Sequence, residues 1–165
     1  MNVFISVDME GISGVSCWDD VDPSKPSYER FRKVMTAEDI QAIIEAFAQA
    51  ARRAKEAGFD AIQIHGAHGF LINQFLSPAF NKRTDAYGGT IENRARFAME
   101  VIREIKKRAG KDFPVSVILN GVEMGQAIGV PDSQCLTHED SKEIAKCLQA
   151  AGADAIQVRS HFLGY

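Results

Sequence analysis

The sequence has 165 residues, 45% hydrophobic and 25% charged, a balance that excludes disordered and fibrous classes. The length allows one domain with a buried core, but a whole eight-fold (β/α) barrel takes about 250 residues, so a complete barrel of that kind is not expected. Nineteen Lys+Arg against 22 Asp+Glu give a net charge of −3, and with no basic stripe in view a nucleic-acid partner is not expected.

In chain order, Val3 to Val7 is a short β-branched run that reads as a buried strand. A polar loop around Trp18 and Pro23 follows. Thr36 then caps a helix whose first turn is acidic at Glu38 and Asp39. Ile40, Ile43, Ile44, Phe47, Ala51 and Ala54 recur at helical spacing, and Gly58 ends the run. Ala61 to Ile64 is a second strand, followed by a long loop over 66–89. Thr90 caps the next helix, with an apolar face at Phe97, Val101 and Ile105, stopped by Gly110. The cations Lys106, Lys107, Arg108 and Lys111 crowd its C-terminal end, where the helix dipole favours them. Pro114 to Leu119 is the third strand. Thr137 opens a third helix that ends at Gly152, and Ala155 to Val158 is the fourth strand.

Strands alternating with helices of this length predict right-handed βαβ crossovers and a parallel sheet of about four strands. The fold class is α/β, either a partial (β/α)8 barrel or a flattened flavodoxin-like sheet, in one domain over 1–165. Such sheets bind ligands at the C-terminal ends of their strands, which directs attention to 8–10, 65–70, 120–123 and 159–161. Cys17, Cys135 and Cys147 are odd in number and form no C-x-x-C pair, which fits a reducing, cytoplasmic setting. Asp8 interrupts the N-terminus before a signal peptide's apolar region is complete, and no run approaches ~18 apolar residues, so no membrane span is expected.

His65-Gly66-Ala67-His68 places two imidazoles three residues apart at a strand end. Imidazoles there can donate to a carbonyl oxygen, ligate a metal or shuttle protons, and the glycines flanking His68 permit a bend that aims both rings at one point. The run from His65 to Pro78, HGAHGFLINQFLSP, and the run from Asn81 to Arg94, NKRTDAYGGTIENR, closely resemble the old yellow enzyme family. These are flavin-dependent NAD(P)H oxidoreductases on a (β/α)8 barrel. The likeness extends from about Met35 to the C-terminus. It implies an FMN cofactor reduced by NAD(P)H, a small electron-poor alkene as substrate, and His65 and His68 holding the substrate carbonyl as negative charge develops on it. Arg83-Thr84-Asp85 and Glu92-Asn93-Arg94 are expected to lock the loop onto its helix. The sequence departs from the family pattern at Phe70, where many members carry a proton-donating tyrosine, and at Ile118, where others carry a basic residue beside the flavin. The family's phosphate site also lies on strands later than those matched here, so activity of this chain by itself is open.

The opening differs. Phe4 to Gly14, FISVDMEGISG, with Pro26 to Arg30 and Met35 to Glu38, resembles the start of the zinc-dependent D-aminopeptidase family. That resemblance implies metal ligands at Asp8 and Glu10 and an alternative role as a zinc hydrolase. Together the two likenesses describe a chimera, with an aminopeptidase-like segment over 1–36 joined to an old yellow enzyme-like partial barrel over 37–165. A non-catalytic fusion or designed βα scaffold is the third reading. An open sheet of this kind can be completed by a second copy of the chain, which makes a homo-oligomer the expected partner.

Overall fold

In a computed structural model, which describes residues 4–7 and 35–159, the strands are β1 (Phe4–Val7), β2 (Ala61–Gly66), β3 (Val115–Asn120) and β4 (Ala155–Arg159). They form one sheet in the order β1-β2-β3-β4, every pair parallel, with Val7 beside Ile64, Ile64 beside Val117 and Val117 beside Ile156. Three long helices fill the crossovers, α1 (Ala37–Glu56), α3 (Ile91–Ala109) and α5 (His138–Ala151). Two short ones interrupt the loops, α2 (Leu71–Leu76) and α4 (Gly125–Ile128). Helix α2 falls in the stretch expected to be loop. Its six residues are all buried, and a run that short shows no helical period in the sequence.

The sequential strand order decides between the two sheet types. A flavodoxin-like sheet reverses its strand order and carries helices on both faces. Here each crossover returns to the next strand, and α1 packs on α3 and α3 on α5, forming one helical layer as in a (β/α) barrel wall. Between that layer and the sheet lies the core. Ile62, Ile64, Val115, Val117 and Leu119 point into it from the strands, and Ile40, Phe47, Phe97, Ile102 and Leu148 meet them from the helices.

The helix starts are fixed as the sequence predicts. Thr36 and Thr137 each form a complete capping box, with Asp39 and Asp140 returning the bond, and Thr90 accepts from the N–H of Asn93. The basic end of α3 is tied down: Lys106 donates to Asp154 at 2.6 Å and to the carbonyls of Lys111 and Phe113, while Arg108 reaches Glu45 on α1 at 2.7 Å.

The opposite face of the sheet is mostly polar. Strand alternation turns Gln63 and His65 of β2, Ser116 and Ile118 of β3, and Gln157 of β4 away from the helices. The Gln63 amide donates to Ser116 Oγ at 3.2 Å and to Gln157 Oε1 at 2.9 Å, so two long side chains meet across the intervening strand. The site lies at the C-terminal edge of this face.

Candidate active site

Strand β2 delivers His65 to the edge of the open face, and the turn after it brings His68 back. Gly66 makes this possible by close approach: a Cβ there would lie 2.7 Å from the Ile118 carbonyl oxygen and 3.3 Å from Leu119 Cδ2. His68 has φ 57°, the one described non-glycine residue with positive φ. Left-handed backbone costs an L residue about 1 kcal/mol or more, so the surroundings must hold it. They do so with two side-chain oxygens. Asn120 Oδ1 accepts from the N–H of His68 at 3.3 Å, and Asn73 Oδ1 accepts from the N–H of Gly69 at 2.7 Å.

The result is a pair of rings with centroids 5.1 Å apart at 65°. Phe70 closes on the other side of His65, edge to face at 4.8 Å. His65 Nδ1 accepts from the N–H of Ala67 at 3.3 Å. In the neutral ring that contact puts the proton on Nε2 and makes Nε2–H a donor.

Beneath the turn lies a buried polar cluster. Asn73, Ser77, Asn120 and Glu123 are 1%, 0%, 1% and 3% exposed. Glu123 receives four donors. Asn73 Nδ2 and Asn120 Nδ2 reach Oε1 at 2.9 and 3.4 Å, and Ser77 Oγ and the N–H of Leu136 reach Oε2 at 2.5 and 3.1 Å. Arg94 is the nearby cation. It donates to the carbonyls of Leu76 and Gly89 at 2.8 and 2.6 Å and faces Asp140 at 3.7 Å. Burial pulls its pKa below the usual guanidinium value, against the charges of Asp140, Glu123 and Glu92, which raise it. Arg83 pairs with Asp85 and donates to the Met35 carbonyl at 3.0 Å. Both arginines thus lock the loop onto its neighbours, as the sequence suggests.

Ile118 stands between His65 and Gln157 in the sheet register and is buried, so that position carries no charge. The donor set on the open face, two imidazoles, two carboxamides and a hydroxyl, hydrogen-bonds carbonyl oxygens and heterocycle nitrogens. Groups of this kind are compatible with the ring end of a flavin. Among the described residues no cluster of three or more His, Cys, Asp or Glu is placed to hold a metal ion. Asp8 and Glu10 lie outside the described residues. Sequence reasoning singles out His65 and His68 but misses Asn73, Ser77 and the carboxamides of Gln63 and Gln157. Two polar residues, Asn73 and Gln74, inside an otherwise apolar six-residue stretch were the available signal.

Residues 10–161 match the NADH:flavin oxidoreductase / NADH oxidase family, and the chain belongs to that family. The match begins inside the segment 1–36, expected to resemble the D-aminopeptidases, a likeness that these comparisons do not show. Among similar proteins, an NADPH dehydrogenase of Halalkalibacterium halodurans is 46% identical over 140 residues, covering 84% of this chain and 39% of the relative. A cinnamate reductase of Clostridium sporogenes is 45% identical over 132 residues, covering 74% of this chain and 20% of the relative. The structure of morphinone reductase in complex with tetrahydroNAD superposes with a TM-score of 0.61 at 34% identity, covering 74% of this chain and 32% of that one. The chain therefore spans about a fifth to two-fifths of the length of these proteins. Among the described residues, no helix is long and apolar enough to cross a membrane.

Proposed function

We propose that this chain carries the carbonyl-binding part of an FMN-dependent NAD(P)H oxidoreductase that reduces electron-poor alkenes. The observation that carries the reading is the His65–His68 pair, two rings 5.1 Å apart on a turn whose left-handed backbone is held by Asn120 and Asn73. Bound FMN would supply hydride exchange between nicotinamide and alkene. The chain's own residues handle the charge that this exchange creates. As the β-carbon gains hydride, negative charge grows on the conjugated carbonyl oxygen, and His65 Nε2–H with the His68 ring stabilises it there. Fixed donors aimed at developing charge are typically worth several kcal/mol, about 10²–10³ in rate for each donor. Phe70 packs on His65 and has no proton to give, so protonation of the α-carbon falls to water or another group.

The test begins with FMN titrated into the purified protein, followed by absorbance and flavin fluorescence, and then NADH or NADPH added anaerobically with cinnamaldehyde as acceptor. Flavin binding, bleaching by the nicotinamide and recovery of colour on adding the enal support the reading. Replacing both His65 and His68 by alanine should leave bleaching in place and reduce recovery by about 10²-fold or more. Protein that takes up no flavin overturns the reading for this chain.

A further inference from the structure

We propose that Glu123 is a positioning residue for the histidine pair: its carboxylate sets which way the Asn73 and Asn120 amides face, and those amides hold the backbone of His68 and Gly69. The proposal rests on the carbonyl-binding reading of the pair but is tested on the rings themselves.

An asparagine amide presents an oxygen on one side and an NH₂ on the other, and its orientation follows from what the NH₂ can donate to. Both amides here turn the same way. Asn73 gives its NH₂ to Glu123 at 2.9 Å and its oxygen to the N–H of Gly69 at 2.7 Å. Asn120 gives its NH₂ to Glu123 at 3.4 Å and to Asn73 Oδ1 at 3.3 Å, leaving its oxygen for the N–H of His68 at 3.3 Å. The carboxylate is an acceptor in all four of its contacts. It is therefore the fixed end of a chain that runs from acid to amide to backbone N–H and ends at the His68 ring. The distances in sequence are large, 50 residues between Asn73 and Glu123 and 52 between His68 and Asn120, so the cluster joins α2 and the segments after β2 and β3 at the point where the turn must be held.

Glutamine at 123 has nearly the same shape but one oxygen and one NH₂. The N–H of Leu136, 3.1 Å from Oε2, is a backbone donor that cannot reverse. The glutamine oxygen must stay with it, and the NH₂ must face the two asparagines. Each asparagine then meets a donor with its own NH₂ unless it turns over. Turning over presents NH₂ to the N–H groups of Gly69 and His68, and both lose their acceptors. Ser77 is the internal control. Its hydroxyl reaches the other oxygen at 2.5 Å and can be removed without touching either amide.

The experiment is ¹⁵N NMR of the imidazoles, assigned with single His65→Gln and His68→Gln variants, together with amide hydrogen exchange, on wild type, Glu123→Gln and Ser77→Ala without added cofactor. In E123Q the His68 ring signals should shift or split, and exchange at the N–H of His68 and Gly69 should rise about tenfold above the change elsewhere in β2. S77A should be destabilised while keeping the wild-type ring signals. Unchanged imidazole signals in folded E123Q overturn the proposal, as do S77A signals displaced as far as those of E123Q. Should E123Q fail to fold, Asn120→Ala cuts the same chain one link closer to the ring. It must move the His68 signals, and wild-type signals there overturn the proposal equally. Failure to bind FMN would count against the oxidoreductase reading alone, because these spectra do not depend on it.

Discussion

Arg94 shows how much one side chain holds in this fold. Its guanidinium ties the end of α2 to the start of α3 by donating to the carbonyls of Leu76 and Gly89. It also brings a positive charge close to buried Glu123 and to Asp140. A lysine ammonium is a point donor and cannot span both carbonyls in the fork geometry. Arg94→Lys should therefore lower the stability by about 1–3 kcal/mol, measured by urea denaturation. A loss no larger than that of an exposed substitution such as Arg53→Lys would show that the two carbonyl bonds carry little. Arg94 sits in the motif that identifies the family, yet its contacts here are structural, and a residue in a motif need not touch a substrate.

At the level of elements, the strands and long helices were legible because their signals are local. Threonine caps with an acid three residues on, β-branched runs, and glycines after the last apolar residue each fix one end of one element. What could not be read was whatever depends on residues far apart in the chain. Glu123 follows a strand by three residues, and nothing near it in sequence shows that Asn73 and Ser77, 50 and 46 residues away, will enclose it. Helix α2 was missed because six buried residues leave no polar face to count. Gly66 shows how the elements constrain each other. An added methyl group would press on the Ile118 carbonyl and on side chains of β3, so Gly66→Ala has to push β2 and β3 apart beside His65. The expected cost is about 1–3 kcal/mol, read from thermal or urea unfolding. A melting temperature unchanged from wild type would mean that the strands give way more easily than their packing implies.

For the whole molecule, acid should loosen the fold at two places, the loop between α2 and α3 and the N-terminal end of β3 and β4. A hydrogen bond from Arg83 holds the Asp85 carboxyl below its ordinary value of 3.8. Burial raises Asp154, but Lys106 and the N–H of Val115 outweigh it, and the net shift is downward. A carboxyl whose folded pKa is depressed contributes stability above its unfolded pKa and loses it as pH falls through the folded value. The urea midpoint should therefore be steady near neutral pH and decline from about pH 5 downward. Asp154→Asn should flatten part of that decline. An acid limb of unchanged slope in this variant would remove Asp154 from the account.

The amide bridge over β3 has a consequence for how the strands find their places. A slip of two residues between parallel strands keeps every apolar side chain on the core face, so the helix-facing side discriminates poorly against it. Gln63 reaches diagonally over β3 to Gln157, and its register neighbour Ser116 is short and accepts a hydrogen bond on the way. A two-residue slip of β3 would put Ile118 or Pro114 in that place and break the bridge. The polar face thus acts as a vernier. It contributes little to how tightly the sheet holds, but it selects the one alignment that sets His65 and Asn120 at the same edge.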